Sequence, residues 1–270
     1  LAIPMQFRRN GEALDLHREA LRAAIPQATG KLLVLVHGSS MNDLQWTRQG
    51  HDHGAALERD LGYTAVYVHY NSGLHVAENG RALAGLLETL VAEWPVPVTE
   101  VTLLGHSMGG LVSRAACQSA SAAGLAWIAS LRRMVFLGTP HHGAPLERGG
   151  NWIDLLLGVS PYSAPLARLG KLRSAGVTDL RFGHVRDEDL DGRDRFEHGH
   201  DRRHPTPLPA GVLCYAVAGT RATAPGSTPP GDGLVPVDSA FGRHARPEMT
   251  LDLPRERRFL ACGVKHLDLL

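Results

Sequence analysis

Residues 101–110, VTLLGHSMGG, constrain this chain more than any other stretch. A short apolar, β-type run leads straight into Gly105-His106-Ser107-Met108-Gly109-Gly110, and over 108–122 apolar residues recur at helical spacing. A serine with glycines two positions before and two after it, between a strand and a helix, marks a tight strand-to-helix turn. The backbone of such a turn is strained and its strand and helix pass close together, so Gly105 and Gly109 supply the missing side chains. The N-terminus of the helix behind the serine favours developing negative charge. Ser107 is therefore read as an exposed nucleophile at a turn, outside the core.

The rest of the chain repeats the strand, turn and helix alternation. Apolar runs at 32–36, 65–69, 101–104, 134–137 and 212–218, with a last one near 259–262, have the near-continuous character of strands covered on both faces. Between them, 77–93 and 108–122 read as helices, the first ended by Pro95 and Pro97. This pattern predicts an α/β fold with a mostly parallel central sheet flanked by helices. With 270 residues the chain suits one large domain, taken as 1–270, and is short for two. The interval 144–209 breaks the alternation and is read as a cap inserted above the sheet. It holds two short apolar-faced helical stretches, 152–157 and 166–172, then a mixed-charge tail, 181–204, read as a solvated loop.

A nucleophilic serine needs donors for the oxyanion, one from the residue after it and one from a loop after an early strand. Strand 32–36 runs into His37-Gly38-Ser39-Ser40, so the backbone N–H groups of Met108 and Ser39 are the candidates, with His37 as a loop-packing residue. The acid and the base should follow the serine in that order, each in a loop after a late strand. Asp232, in Gly231-Asp232-Gly233-Leu234-Val235, is flanked by small residues that let a carboxylate turn inward; Asp238 and Asp252 are its rivals. His266 follows the final apolar run, whereas His244 lies in the Arg-rich GRHAR stretch. His141 and His142, in the GTPHHG turn, precede the acid, and the turn is read as structural, lining the site. In the cap, Trp152, Leu156 and Leu157 are too apolar for a wet surface and are the candidate substrate-binding wall; packing on the domain's own core is the alternative.

Composition excludes several classes of partner. Lys+Arg 28 against Asp+Glu 27 leaves a net charge of +1, so no nucleic-acid face is expected. No apolar run approaches the roughly 20 residues that cross a bilayer. Three scattered cysteines, Cys117, Cys214 and Cys262, suggest buried or free thiols. The N-terminal residues carry no leader pattern, so a cytoplasmic location is expected, or a secreted one if a leader preceded Leu1. Neither a cofactor nor a metal ligand is expected. Residues 187–192 fit the first half of a calcium loop, but His198 stands at the twelfth position, Glu197 falls one residue early and Arg195 is out of place. His200 and His204 have a zinc-like spacing, in a Pro/Arg loop.

Taken together, His37-Gly38, GHSMGG from Gly105, GTPHHG from Gly138, DGLV from Asp232 and HLD from His266 make the chain resemble the α/β-hydrolase superfamily, most closely its bacterial lipase and esterase branch. The resemblance implies Ser107 as nucleophile, Asp232 as acid, His266 as base and the Ser39 and Met108 amides as oxyanion hole, in a mostly parallel sheet with a cap. It implies hydrolysis of carboxylic esters through an acyl-enzyme, on a small-molecule ester or lipid. An acyltransferase or amide hydrolase with the same triad is the alternative, and a non-catalytic binding module is another. Related lipases hold a structural calcium near the catalytic histidine, where Asp268 occupies the matching position. Residues 150–209 match no lipase motif, and nothing in the sequence specifies the oligomeric state.

Overall fold

The computed structural model describes residues 3–144, 175–180, 183–186, 188, 203–224 and 230–270. Its strands are β1 (Gln6–Arg9), β2 (Glu12–Ala13), β3 (Lys31–Val36), β4 (Thr64–His69), β5 (Glu100–His106), β6 (Leu131–Leu137), β7 (Leu213–Thr220) and β8 (Arg258–Cys262). They form one sheet in the order β2-β1-β4-β3-β5-β6-β7-β8. From β4 to β8 every neighbouring pair is parallel, while β1 runs antiparallel to both β2 and β4. The mostly parallel sheet is thus as the sequence predicts, except that the edge hairpin β1–β2 carries no apolar run and was not anticipated. Its anchor is Phe7, buried in the core beside strand β4.

The helices are α1 (Arg18–Ala24), α2 (His53–Leu61), α3 (Val76–Glu93), α4 (Met108–Ala123), α5 (Ala175–Asp179) and α6 (Val237–Ala240). Strand β3 shows why both faces need cover. Leu32, Val34 and Val36 pack into one cluster with α3 and α4, while Leu33 and Leu35 point the other way, against Trp46 and Tyr63. Helices α3 and α4 approach so closely that a Cβ on Gly80 would strike Ala115. Among the described residues no helix is long and apolar enough to cross a membrane.

Two features of this topology position the site. The chain leaves β3 to form β4 on one side, then returns to form β5 on the other, so the direction of winding reverses between β3 and β5. Ligands of open parallel sheets bind outside the carboxyl ends of the strands at such a reversal. There Val36 lies opposite Gly105, and His37-Gly38 follows one strand while Ser107 follows the other. The glycines of the turn supply the second feature: a Cβ on Gly105 would meet the backbone of Gly109 and Gly110, and one on Gly109 would collide with the carbonyl of Val36.

The inserted interval, 144–209, lies largely outside the described residues, including Trp152, Leu156, Leu157, the 166–172 stretch, His198 and His200 and all but Glu188 of the calcium-like run. Of the tail read as a solvated loop, 183–185 and Arg203 are instead buried. Charge alone misled there, because the Arg203 guanidinium donates to the carbonyls of His141 and Gly183, at 3.1 and 3.2 Å. Upstream, Asp179 of α5 is buried and accepts the N–H of Val76 at 2.8 Å, satisfying an orphan donor of α3 whose own N-cap, His75, makes no side-chain cap bond.

The α3–α4 contact yields a test. Gly80→Ala should destabilise the fold by about 1–3 kcal/mol through overpacking, lowering Tm by roughly 2–4 °C per kcal/mol in a chain of this size. Thermal unfolding would measure it; an unchanged Tm would show that the two helices separate at no cost.

Candidate active site

Ser107 joins the last residue of β5 to the first of α4 with φ +53° and ψ −123°. A non-glycine residue there is strained by about 1–3 kcal/mol, and its N–H is held by the carbonyl of Leu137 at 2.8 Å. The side chain is not exposed as the sequence suggested: Ser107 is 3% accessible. The loop after β3 covers it, with Gly38 so near that a Cβ there would sit 3.2 Å from the Ser107 Cβ.

His266 lies in the turn after β8 and Asp232 in the loop after β7, and the structure brings them together. His266 Nδ1 donates to Asp232 Oδ2 at 2.7 Å, both residues being buried. The other carboxylate oxygen accepts the N–H groups of Leu234 (2.9 Å) and Val235 (2.8 Å), a loop made possible by Gly231 and Gly233 at φ +87° and +101°. Burial pushes the Asp232 carboxyl up, but the adjacent His266 charge and hydrogen bond and the two amides outweigh it and hold the group below its ordinary value. His266 Nε2 has no hydrogen-bond partner among the described residues. Its ring packs on Gly138, where a Cβ would lie 3.1 Å from Cε1 and Nδ1. Leu137 binds the Ser107 amide and Gly138 supports the His266 ring, so the end of β6 contacts both residues.

Ser39 and Met108, the expected oxyanion donors, are also buried beside this point. His37 does more than pack. Its Nδ1 lies 2.8 Å from the Gly38 carbonyl, which can only accept, so Nδ1 carries the proton. In a trans peptide the N–H points opposite to the C=O, so this bond also fixes the direction of the Ser39 N–H. Tyr70 locks the arrangement, stacking on the His37 ring at 4.3 Å and donating its hydroxyl to the His37 carbonyl at 2.8 Å. A histidine directly before the loop glycine was the available signal for this role.

The rivals are elsewhere. Asp238 is exposed and pairs with Arg243 at 2.9 Å, Asp252 is exposed, and His244 accepts the Arg246 N–H at 3.0 Å while its ring rests near His142. His141 is buried against Phe136, with Nδ1 3.4 Å from the Arg114 guanidinium, and His142 Nε2 donates to the Gly242 carbonyl at 3.0 Å. These two line a small cavity with Arg114, Arg203 and His204. Asp268 accepts the Lys265 N–H at 2.9 Å and lies 3.7 Å from Arg48. Among the described residues no three His, Cys, Asp or Glu side chains group as metal ligands.

Residues 4–178 match the family described as "Domain of unknown function (DUF7379)". The chain belongs to that family. No curated protein matches this DUF7379 chain in sequence. Among solved structures it is similar to the mature form of Bacillus licheniformis lipase BlEst2, with TM-score 0.55 and 18% identity over 99% of this chain and 94% of that one. The propeptide form of the same lipase gives 0.58 and 20%, over 99% of this chain and 51% of that longer one. The metagenomic carboxyl esterase MGS0156 gives 0.52 and 18%, over 87% and 64%. At these identities the likeness shows the fold, which is that of the α/β-hydrolases.

The buried histidines predict acid sensitivity. Burial, the largest cause for each, lowers His106 to about 3, His37 and His142 to about 4, and His141 well below its usual value. Below about pH 6.5 the unfolded chain takes up protons that the folded chain refuses. The stability these groups support is therefore complete above that pH and is lost as pH falls toward their folded values. Each contributes up to about 1.4 kcal/mol per pH unit. Tm followed from pH 7.5 to 4.5 should be level at first and then fall steeply; a flat profile would refute the neutral, buried assignment.

Proposed function

We propose that this chain hydrolyses carboxylic esters through a serine acyl-enzyme, taking a small-molecule ester or a lipid. The observation that carries the reading is the buried Asp232–His266 bond of 2.7 Å, which leaves His266 Nε2 without a hydrogen-bond partner among the described residues, while the ring of His106, the neighbour in sequence of the strained Ser107, packs 4.8 Å from the His266 ring. The fold shared with a lipase and a carboxyl esterase supports it.

Asp232 keeps the His266 proton on Nδ1, so the lone pair on Nε2 is the base. Ser107 Oγ attacks the ester carbonyl carbon as Nε2 takes the hydroxyl proton. The carbonyl electrons move onto oxygen, and that oxyanion is received by the N–H groups of Ser39 and Met108. Collapse of the tetrahedral species breaks the bond to the alcohol oxygen, which leaves with the proton from Nε2 and gives acyl-Ser107. Water then attacks the acyl carbon, Nε2 takes its proton, and the second collapse returns that proton to Ser107 Oγ and frees the carboxylic acid. Every group needed belongs to the chain, so the reaction calls for no cofactor. By sequence, Trp152, Leu156 and Leu157 are the candidates to contact the acyl chain.

Ser107→Ala should lower turnover on an aryl-ester chain-length series by about 10⁴–10⁶-fold while leaving Tm at or above that of the parent. Asp232→Asn and His266→Ala should be similarly inactive, whereas Asp238→Asn and His244→Ala should keep activity within about twofold. More than a few per cent of activity in purified Ser107→Ala would overturn the reading. Damage confined to the Asp238 and His244 variants would reassign the acid and base.

A further inference from the structure

The residue before Ser107 has no part in the steps above, yet its position is unusual. His106 closes β5 and is 1% exposed. Its Nε2 lies 3.2 Å from the main-chain carbonyl of His266, across 160 residues of sequence, and the two imidazole centroids are 4.8 Å apart. On the other edge of the ring, Nδ1 is 3.0 Å from where a Cβ on Gly38 would stand. Trp46 closes the ring in edge-on, at 6.4 Å. One side chain therefore touches the loop bearing Ser39, the turn bearing Ser107 and the turn bearing His266.

A ring in the core can be mere filling, so the polar atoms decide. The carbonyl of His266 only accepts, and a neutral imidazole has one N–H, which places the His106 proton on Nε2. Burial keeps the ring neutral, and the His266 charge acts in the same direction. His106 therefore adds no second positive charge when His266 is protonated. Because His106 and Ser107 are consecutive, the bond from Nε2 to the His266 carbonyl closes a short loop of covalent and hydrogen bonds between the serine and the histidine. No comparably direct tie is made by the Asp232 bond, which fixes the tilt and tautomer of the His266 ring from the far side.

We propose that His106 is a positioning residue, whose Nε2–H, given to the main chain of His266, sets the distance between the base and Ser107. The proposal rests on the reading of Ser107, Asp232 and His266 as the triad. Reaction rates fall by up to about 10²-fold when reacting groups shift by an ångström, whereas binding of the ester elsewhere is untouched. Loss of the donor should thus appear in kcat and leave KM alone.

Three substitutions separate donor from filler. His106→Phe keeps a ring and removes the N–H. His106→Gln puts an amide N–H where Nε2 was, and His106→Asn puts one where Nδ1 was, facing Gly38 and too short for the His266 carbonyl. On an aryl ester, the Phe and Asn variants should lose about 10–100-fold in kcat with KM within about twofold, and Gln should recover kcat to within about fivefold of the parent. The rate at which a fluorophosphonate labels Ser107, read by intact mass, should follow kcat across the series. Should the Phe variant fail to fold by thermal unfolding, the Gln and Asn pair decides, since both are polar and only one reaches. Equal kcat in Gln and Asn, or parent kcat in a folded Phe variant, would overturn the proposal. Ser107→Ala run in parallel separates the two claims: an inactive Ser107→Ala beside an unimpaired His106→Phe sinks the positioning role alone, while an active Ser107→Ala sinks the triad and the role with it.

Discussion

A serine at φ +53° persists only because the backbone around it has been cleared of side chains and its surroundings hold it in place. Helix α4 rests on β3 and β5 at a distance that no Cβ at Gly105 or Gly109 would allow. That contact buries Met108, Leu111 and Val112 completely. At about 1.5–3 kcal/mol for each large apolar side chain removed from water, their burial exceeds the roughly 1–3 kcal/mol of strain at the turn. Ser107 cannot relax to an ordinary conformation without lifting α4 off the sheet. The same lift would carry the Met108 N–H away from the point it is proposed to serve.

Polar order within the buried site follows from low dielectric. An ionised carboxylate in such surroundings is tolerated only when its oxygens are filled, and Asp232 accepts three N–H groups. The histidines nearby meet the same demand in the opposite way, by staying uncharged. His37 spends its one N–H on Gly38 and His106 spends its own on His266. Around a base that becomes positive during the proposed reaction, two neutral imidazoles cost less than two charged ones.

How much of this was legible in the sequence depended on how local each cause was. The six parallel strands read well because each is a short apolar run, with bounds that differ by a few residues at most; β3 and β5 are buried on both faces, whereas β8, at the sheet edge, is only partly covered and leaves Phe259 exposed. Gly231 and Gly233 announced the carboxylate between them, since their positive φ angles are a property of that loop alone. Strand β1 was hidden because QFRR owes its conformation to pairing with β4, some sixty residues away. Arg203 was misjudged for a related reason: its burial is decided by carbonyls at His141 and Gly183, which no local composition reports. The role of His37 was nearly visible, being a bond to the next residue, whereas that of His106 reaches across 160 residues of sequence and leaves no local trace.

The parallel order of the sheet ties these parts together. Ser39 follows β3, Ser107 follows β5, Gly138 follows β6, Asp232 follows β7 and His266 follows β8. Parallel strands put all five carboxyl ends on one edge, so each crossover contributes one group to the same place. An antiparallel step between β5 and β8 would send one of them to the opposite edge, some six residues of strand away. The last two loops must also fit side by side above β7, and there Gly219 makes the room. A Cβ at Gly219 would lie 2.9 Å from the Asp232 Cβ and 3.1 Å from Val264. A side chain at this one position would press on the acid loop and the base loop together, so the absence of a single methyl group within the strand allows the 2.7 Å bond between their carboxylate and imidazole to form.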